Sequence, residues 1–161
     1  MIFNLLNNPH TLKRLQSELR SKFSDVDQIR TGPALDGCEY LIACIDESMR
    51  LTPVIGGVTQ RATLEGGIEI DGRFIPAKTD VGVSHHTIFR NEGYFPNPWT
   101  YEPHRWIASE SSKETIRTAR AAFCAFGMGL TECPGKKWAL IEIKLTIARM
   151  LYMYVLLCYR L

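Results

Sequence analysis

The stretch Phe126-Gly127-Met128-Gly129-Leu130-Thr131-Glu132-Cys133-Pro134-Gly135 decides the reading of this chain. It sets one cysteine between a glycine-rich loop and a long apolar segment. In that segment Ile141, Leu145, Ala148, Tyr152 and Val155 keep helical spacing, which predicts a helix from about Pro134 buried on that side. The start of a helix offers unpaired N–H groups and the positive end of its dipole, so it favours negative charge. A cysteine placed there is predicted to be a thiolate. The glycines let the backbone approach a flat partner without Cβ clashes, and Phe126 is placed to pack beside it.

A thiolate facing a planar apolar cofactor is what a heme-thiolate site needs, where sulfur pushes electron density onto iron. On the loop alone a second reading stays open: a buried structural cysteine in a glycine turn. A third does not hold. Gly127-Met128-Gly129 begins like the dinucleotide-binding G-x-G-x-x-G, but Glu132 stands where the third glycine belongs and no good strand precedes it.

Working outward, Asn8-Pro9 predicts a helix start, with Asn8 as N-cap and proline at the first position. Leu12, Leu15, Leu19 and Phe23 fall on one face of it. A second helix is predicted from Cys38 to Leu51, stopped by Pro53. The period then changes to two. Ile68 to Ile75 alternates around Asp71-Gly72, a hairpin signal, and Val81 to Val83 reads as a further short strand. Residues 91 to 106, rich in proline and aromatics, read as an ordered meander, and 107 to 120 as a surface loop with a short helix.

Glu47 and Arg50 form an E-x-x-R pair that shares one helix face. The same spacing recurs at Glu102 to Arg105 and Glu114 to Arg117, where it reads as exposed pairs of little energetic consequence. Only the first is followed by Leu51-Thr52-Pro53, a hairpin and a cysteine loop.

In this order the pieces resemble the C-terminal, heme-binding part of the cytochrome P-450 family, over nearly the whole chain. Asn8-Pro9 with Leu12, Leu15, Glu18, Leu19 and Arg20 resembles the helix that opens that part. Glu47, Arg50, Leu51 and Pro53 resemble its E-x-x-R helix, and Arg61 its arginine before the hairpin, which often pairs with a heme propionate. Gly72, Pro76 and Val81 follow its G-x-x-I-P-x-x-x-x-V strand pattern. Tyr94 to Pro98 and Pro103 to Trp106 resemble its P-E-R-W meander, with His104 in place of glutamate. Phe126, Gly129, Cys133 and Gly135 match F-x-x-G-x-x-x-C-x-G. The flavour is fungal, of the kind found in secondary metabolism.

The resemblance implies a mainly helical α+β fold with a small hairpin sheet, in which residues 1–161 are one partial domain. It implies Cys133 as the axial ligand of heme b, Phe126, Gly129, Gly135 and Arg61 around the cofactor, and Glu47, Arg50 and Arg105 as a buried charged triad. It also implies oxygen insertion into a small organic substrate, electrons from NADPH through a reductase, and the cytosolic face of the endoplasmic reticulum. Thr131 stands where the family usually has Arg or His for a propionate, which implies weaker heme binding. The family's distal half, with its proton-relaying helix, is missing from the sequence, and the chain stops in its last helix. The alternative expectation is therefore a truncated fragment that binds heme poorly and does not turn over.

Composition sets outer limits. A formal net charge of +2 gives no reason to expect nucleic acid as partner. Cys38, Cys44, Cys124, Cys133 and Cys158 form no C-x-x-C pair, which speaks against a disulfide framework or zinc site. His85-His86, read as neighbours in a strand, would point to opposite faces and so not share a metal. The apolar run from Met150 to Tyr159 falls short of the ~20 residues a membrane span needs, so no anchor is expected and the chain would be cytoplasmic or peripheral.

Overall fold

The computed structural model describes residues 1–154. Asn8-Pro9 divides the first apolar segment into two helices. α1 (Ile2–Asn7) ends where Asn8 leaves the helical region, and α2 (Pro9–Lys22) starts with proline at its first position. Asn8 does not cap α2 through its side chain, contrary to expectation: its Nδ2 donates back to the Asn4 carbonyl at 2.8 Å. Leu12, Leu15 and Leu19 are buried along α2, and Phe23 closes the stripe.

After a short α3 (Pro33–Asp36) the chain enters α4 (Glu39–Leu51), which is buried on almost every side. Its N-terminus has no local cap, since Cys38 makes no side-chain bond to the first turn. Glu18 of α2 takes that role instead. Its two carboxylate oxygens accept the Tyr40 and Leu41 amides at 2.9 Å each. A carboxylate at this end is favoured by the unpaired N–H groups and by the dipole.

Four short strands follow: β1 (Val58–Ala62), β2 (Ile68–Ile70), β3 (Arg73–Ile75) and β4 (Asp80–Ser84). β2 and β3 form the expected hairpin. Asp71 and Gly72 take φ of 51° and 72°, the conformation of the two central residues of a type I′ turn. β1 was not expected. It pairs antiparallel with β4, Arg61 opposite Val81, and Thr63 fastens the far end: its hydroxyl donates to the Pro76 carbonyl (2.6 Å) and accepts the Thr79 amide (2.9 Å). The chain leaves β4 directly into α5 (His85–Ile88), where Ser84 Oγ accepts the Thr87 amide at 3.4 Å. His85 and His86 thus lie on a helical turn and not in a strand. No cluster of metal-binding side chains forms among the described residues.

The meander ends in a tight turn at Pro103–Trp106 and leads to α6 (Lys113–Ala122), capped by Ser112, whose Oγ accepts the Thr115 amide at 3.0 Å. The cysteine loop then feeds α7 (Lys136–Met153). The buried stripe of α7 is Ile147, Ala148 and Leu151, while Ile141, Leu145 and Tyr152 are only half-buried. The helix packs on α2 and α4, and its N-terminal turns reach past the core, with Trp138 76% exposed. Val155 lies outside the described residues. The core sits between α2, α4 and α7 and continues into aromatics of the meander. Phe89 meets Phe95 and Phe123, and Trp106 meets Phe95 and Phe123, with centroids 5.0–6.1 Å apart.

Candidate functional site: a braced cysteine loop

The buried centre of the site is a carboxylate. Glu47 is fully buried on α4 and accepts five hydrogen bonds. Oε1 takes Arg50 Nη2 (2.8 Å), Arg105 Nε (3.1 Å) and the Glu102 amide (2.9 Å). Oε2 takes Arg50 Nε and Trp106 Nε1, both at 2.9 Å. Helical spacing of three sets Arg50 beside Glu47. The turn at Pro103–Trp106 turns Arg105 and Trp106 back onto the same carboxylate.

Arg50, also fully buried, has every guanidinium N–H engaged. Beyond Glu47, Nη1 donates to the Phe89 (2.8 Å) and Pro98 (2.6 Å) carbonyls, and Nη2 to that of Thr100 (3.0 Å). Arg105 Nη1 donates to the Pro96 carbonyl at 2.9 Å, and its Nη2 reaches Glu102 Oε2 at 3.1 Å. Two arginines thus face two carboxylates, and the formal charges cancel, as a buried cluster requires. The structure brings Glu47, Arg50 and Arg105 together and adds Glu102 and Trp106. Glu102–Arg105 is consequently not the exposed pair its spacing suggested, whereas Glu114–Arg117 is, with side chains 69% and 77% exposed.

A second set of bonds docks the meander on α4. The Tyr101 hydroxyl donates to the Cys44 carbonyl (2.9 Å) and lies 3.1 Å from Ser48 Oγ. Burial pushes the Tyr101 phenol up and the Cys44 thiol up to about 12, so both stay neutral.

The brace reaches the cysteine loop through Phe123. This residue ends α6, its ring meets that of Trp106 at 5.0 Å, and it stands three residues before Phe126. The loop is then shaped by its own backbone. The Gly127 amide bonds the Cys124 carbonyl (2.8 Å), and the Cys133 amide bonds the Phe126 carbonyl (2.7 Å). Gly127 and Gly129 take φ of 78° and 67°, which side-chain-bearing residues rarely adopt. A Cβ on Gly127 would crowd the Thr131 carbonyl at 3.2 Å, whereas one on Gly129 would meet nothing within 4 Å.

Cys133 is exposed, so the reading of a buried structural cysteine fails. α7 begins three residues beyond it, after Pro134-Gly135, and Cys133 stays on the loop. Its carbonyl accepts the Lys136 amide at 3.2 Å. A Cβ on Gly135 would lie 3.7 Å from its sulfur, an ordinary contact. Phe126 is half-buried.

Arg61 enters from β1. Its Nη2 donates to Thr131 Oγ1 at 2.9 Å, joining positions 70 residues apart, and its Nη1 donates to the Gln60 carbonyl at 2.8 Å. It forms no salt bridge among the described residues. The loop also presents apolar side chains to its surface: Leu130 is wholly exposed and Met128 is 61% exposed. An accessible soft sulfur, open space at Gly129, apolar neighbours and an arginine without an acidic partner suit a planar apolar group that carries a metal and acidic edge substituents.

Fold and site define a mainly helical α+β protein in which a neutral, buried Glu–Arg cluster braces a loop with a single exposed cysteine. The cytochrome P-450 family profile matches residues 1–160, and the chain belongs to that family. It is similar to fungal proteins named cytochrome P-450 monooxygenases. The protein apf7 of Gibberella fujikuroi is 38% identical over 156 residues, covering 94% of this chain and 29% of that protein. The protein AKT7 of Alternaria alternata is 37% identical over 157 residues, covering 95% and 30%. The protein apf8 of Gibberella fujikuroi is 37% identical over 155 residues, covering 95% and 42%. The chain thus spans well under half the length of these relatives. No helix among the described residues is long and apolar enough to cross a membrane.

Proposed function

We propose that this chain is the proximal, heme-binding part of a fungal monooxygenase that inserts one oxygen atom from O2 into a small organic substrate. The observation that carries the reading is the exposed Cys133 on its glycine loop, with Arg61 bonded to the same loop. Cys133 would hold the iron of heme b, Phe126, Gly129 and Gly135 would make room beside it, and Arg61 would meet an acidic edge substituent. When bound, such a heme supplies oxygen activation, favoured by electron donation from the thiolate. Electrons would come from NADPH through a reductase. The family's usual setting is the cytosolic face of the endoplasmic reticulum, where this part would lie in solution or on the surface.

Within this reading the chain's own residues have separate tasks. Glu47, Arg50 and Arg105 fix the meander to α4, and Trp106 and Phe123 carry that rigidity to the loop. The loop backbone then presents the sulfur. A ligand held at one sulfur needs that preorganisation, because each unfixed rotation of the loop would weaken the bond.

The test is the absorption spectrum of the purified chain with heme, reduced and exposed to carbon monoxide, beside Cys133→Ser. A red-shifted thiolate-type Soret band, lost in the variant, is expected. Its absence from the parent would sink the reading. Thr131, where the family usually has a second cation, favours a second reading: a chain that holds heme weakly and does not turn over by itself. NADPH consumption with a reductase and candidate substrates, unchanged by Cys133→Ser, would select it.

A further inference from the structure

Thr131 stands where the resemblance expects a second cation, yet the structure gives it a definite partner. Arg61 can only donate, so the 2.9 Å contact fixes the Thr131 oxygen as acceptor, and the hydroxyl proton is left to point at the Met128 carbonyl, 3.5 Å away. Of the five guanidinium N–H groups, two are engaged, both by neutral oxygens. Three donors and a whole positive charge are left to the exposed face. The base of Arg61 is set by β1, locked against β4 through the Arg61–Val81 register, and its tip is set by Thr131, two residues before Cys133. A flexible cation is therefore held at both ends beside the cysteine.

We propose that Thr131 is a positioning residue: its hydroxyl holds Arg61 as a single-cation clamp for one carboxylate of the heme, in place of a second charged contact. The inference rests on the heme-binding reading above. Arg61 provides the attraction, because a charge-assisted and potentially bidentate bond to carboxylate is the strong kind. Thr131 provides no attraction of its own and acts only through Arg61. Its removal should therefore matter only while Arg61 is present.

That dependence is testable by a double-mutant cycle on the full chain. The rate of heme loss to an excess of apomyoglobin would be followed by absorbance for the parent, Arg61→Gln, Thr131→Val and the double variant. Arg61→Gln should speed the loss by about tenfold and Thr131→Val by about threefold. The double variant should lose heme no faster than Arg61→Gln alone. Thr131→Ser, which restores the hydroxyl, should behave as the parent. Heme dimethyl ester, whose carboxylates are blocked, should erase the differences between variants, which a purely structural role for Thr131 would not do. Equal effects of Thr131→Val in both Arg61 backgrounds, or effects that persist with the ester, would overturn the clamp while leaving the Cys133 thiolate band intact. A parent without that band would remove the heme-binding reading and the clamp together.

Discussion

Glu47 and Arg50, one helical turn apart on α4 and both fully buried, meet through two parallel hydrogen bonds of 2.8 and 2.9 Å. The pair is surrounded by backbone carbonyls and by Arg105, so neither charge reaches water. Arg50→Ala would leave Glu47 buried with one of its two cations gone. It would also leave the Phe89, Pro98 and Thr100 carbonyls without that donor. The expected loss is about 3–5 kcal/mol, read from urea unfolding followed by circular dichroism. Arg50→Lys should not restore stability, because an ammonium cannot reproduce a planar fork of five donors. A lysine variant as stable as the parent would show that the charge alone, and not the geometry, holds the meander.

Glu18 closes the open end of the same helix from α2. Glu18→Ala removes both acceptors from the first turn of α4 and should cost about 1–2 kcal/mol. Glu18→Gln keeps one acceptor oxygen without the charge and should cost less. The order parent, Gln, Ala in urea midpoint is the check. If Ala and Gln are equally destabilised, the charge dominates and the amide contacts matter little.

Asp46 gives the fold a defined pH dependence. Burial pushes its carboxyl above the usual range, and the paired Arg120, 2.5 Å away, offsets only part of the shift. The folded state therefore binds this proton more tightly than the unfolded chain does. In the window just above the ordinary carboxylate value of about 4, stability should fall as pH rises, and should recover on acidification. Against Asp46→Asn, which cannot titrate, the parent should lose ground as pH rises and level off once Asp46 is fully ionised. Arg120→Ala should widen the window, because the offsetting cation is gone. A parent that gains on Asp46→Asn with rising pH would reverse the assignment of cause.

What the sequence made legible was local or ordered in chain position. The Asp71-Gly72 turn, the periodic faces of α2 and α4, and the succession of landmarks from Asn8-Pro9 to Cys133 could be read without coordinates, and the family match agrees. What was not legible depended on distant partners. β1 is largely exposed and is defined by pairing with β4, so it carries no strong alternation of its own. Glu18 caps a helix 22 residues away, which no capping-box spacing encodes. Glu102 and Arg105 read as a surface pair because spacing reports who can touch and says nothing about burial. The Arg61–Thr131 bond joins two elements whose proximity only the folded chain supplies. His85-His86 follows β4 with no intervening turn residue, so the change of period at Ser84 leaves no signal in the sequence.

The cysteines offer a test of packing and of the site in one experiment. Cys38 and Cys44 are buried, and burial raises both thiols, Cys44 to about 12. Cys124 is half-buried and also raised by desolvation. Cys133 is the exposed one among the described residues. Because the thiolate is the reactive species, burial protects the raised thiols twice, by shielding them and by keeping them protonated. In a Cys158→Ser background, iodoacetamide near neutral pH should modify Cys133 first, as read by peptide mass spectrometry. Cys44 should react only as the chain unfolds in urea. Saturation with heme should then protect Cys133 and leave the other thiols unchanged, since a sulfur bound to iron is no longer free to attack. Early modification of Cys44 would contradict the packing of α4 against Tyr101. Modification of Cys133 at the same rate with and without heme would leave the fold standing and remove the sulfur from the cofactor site.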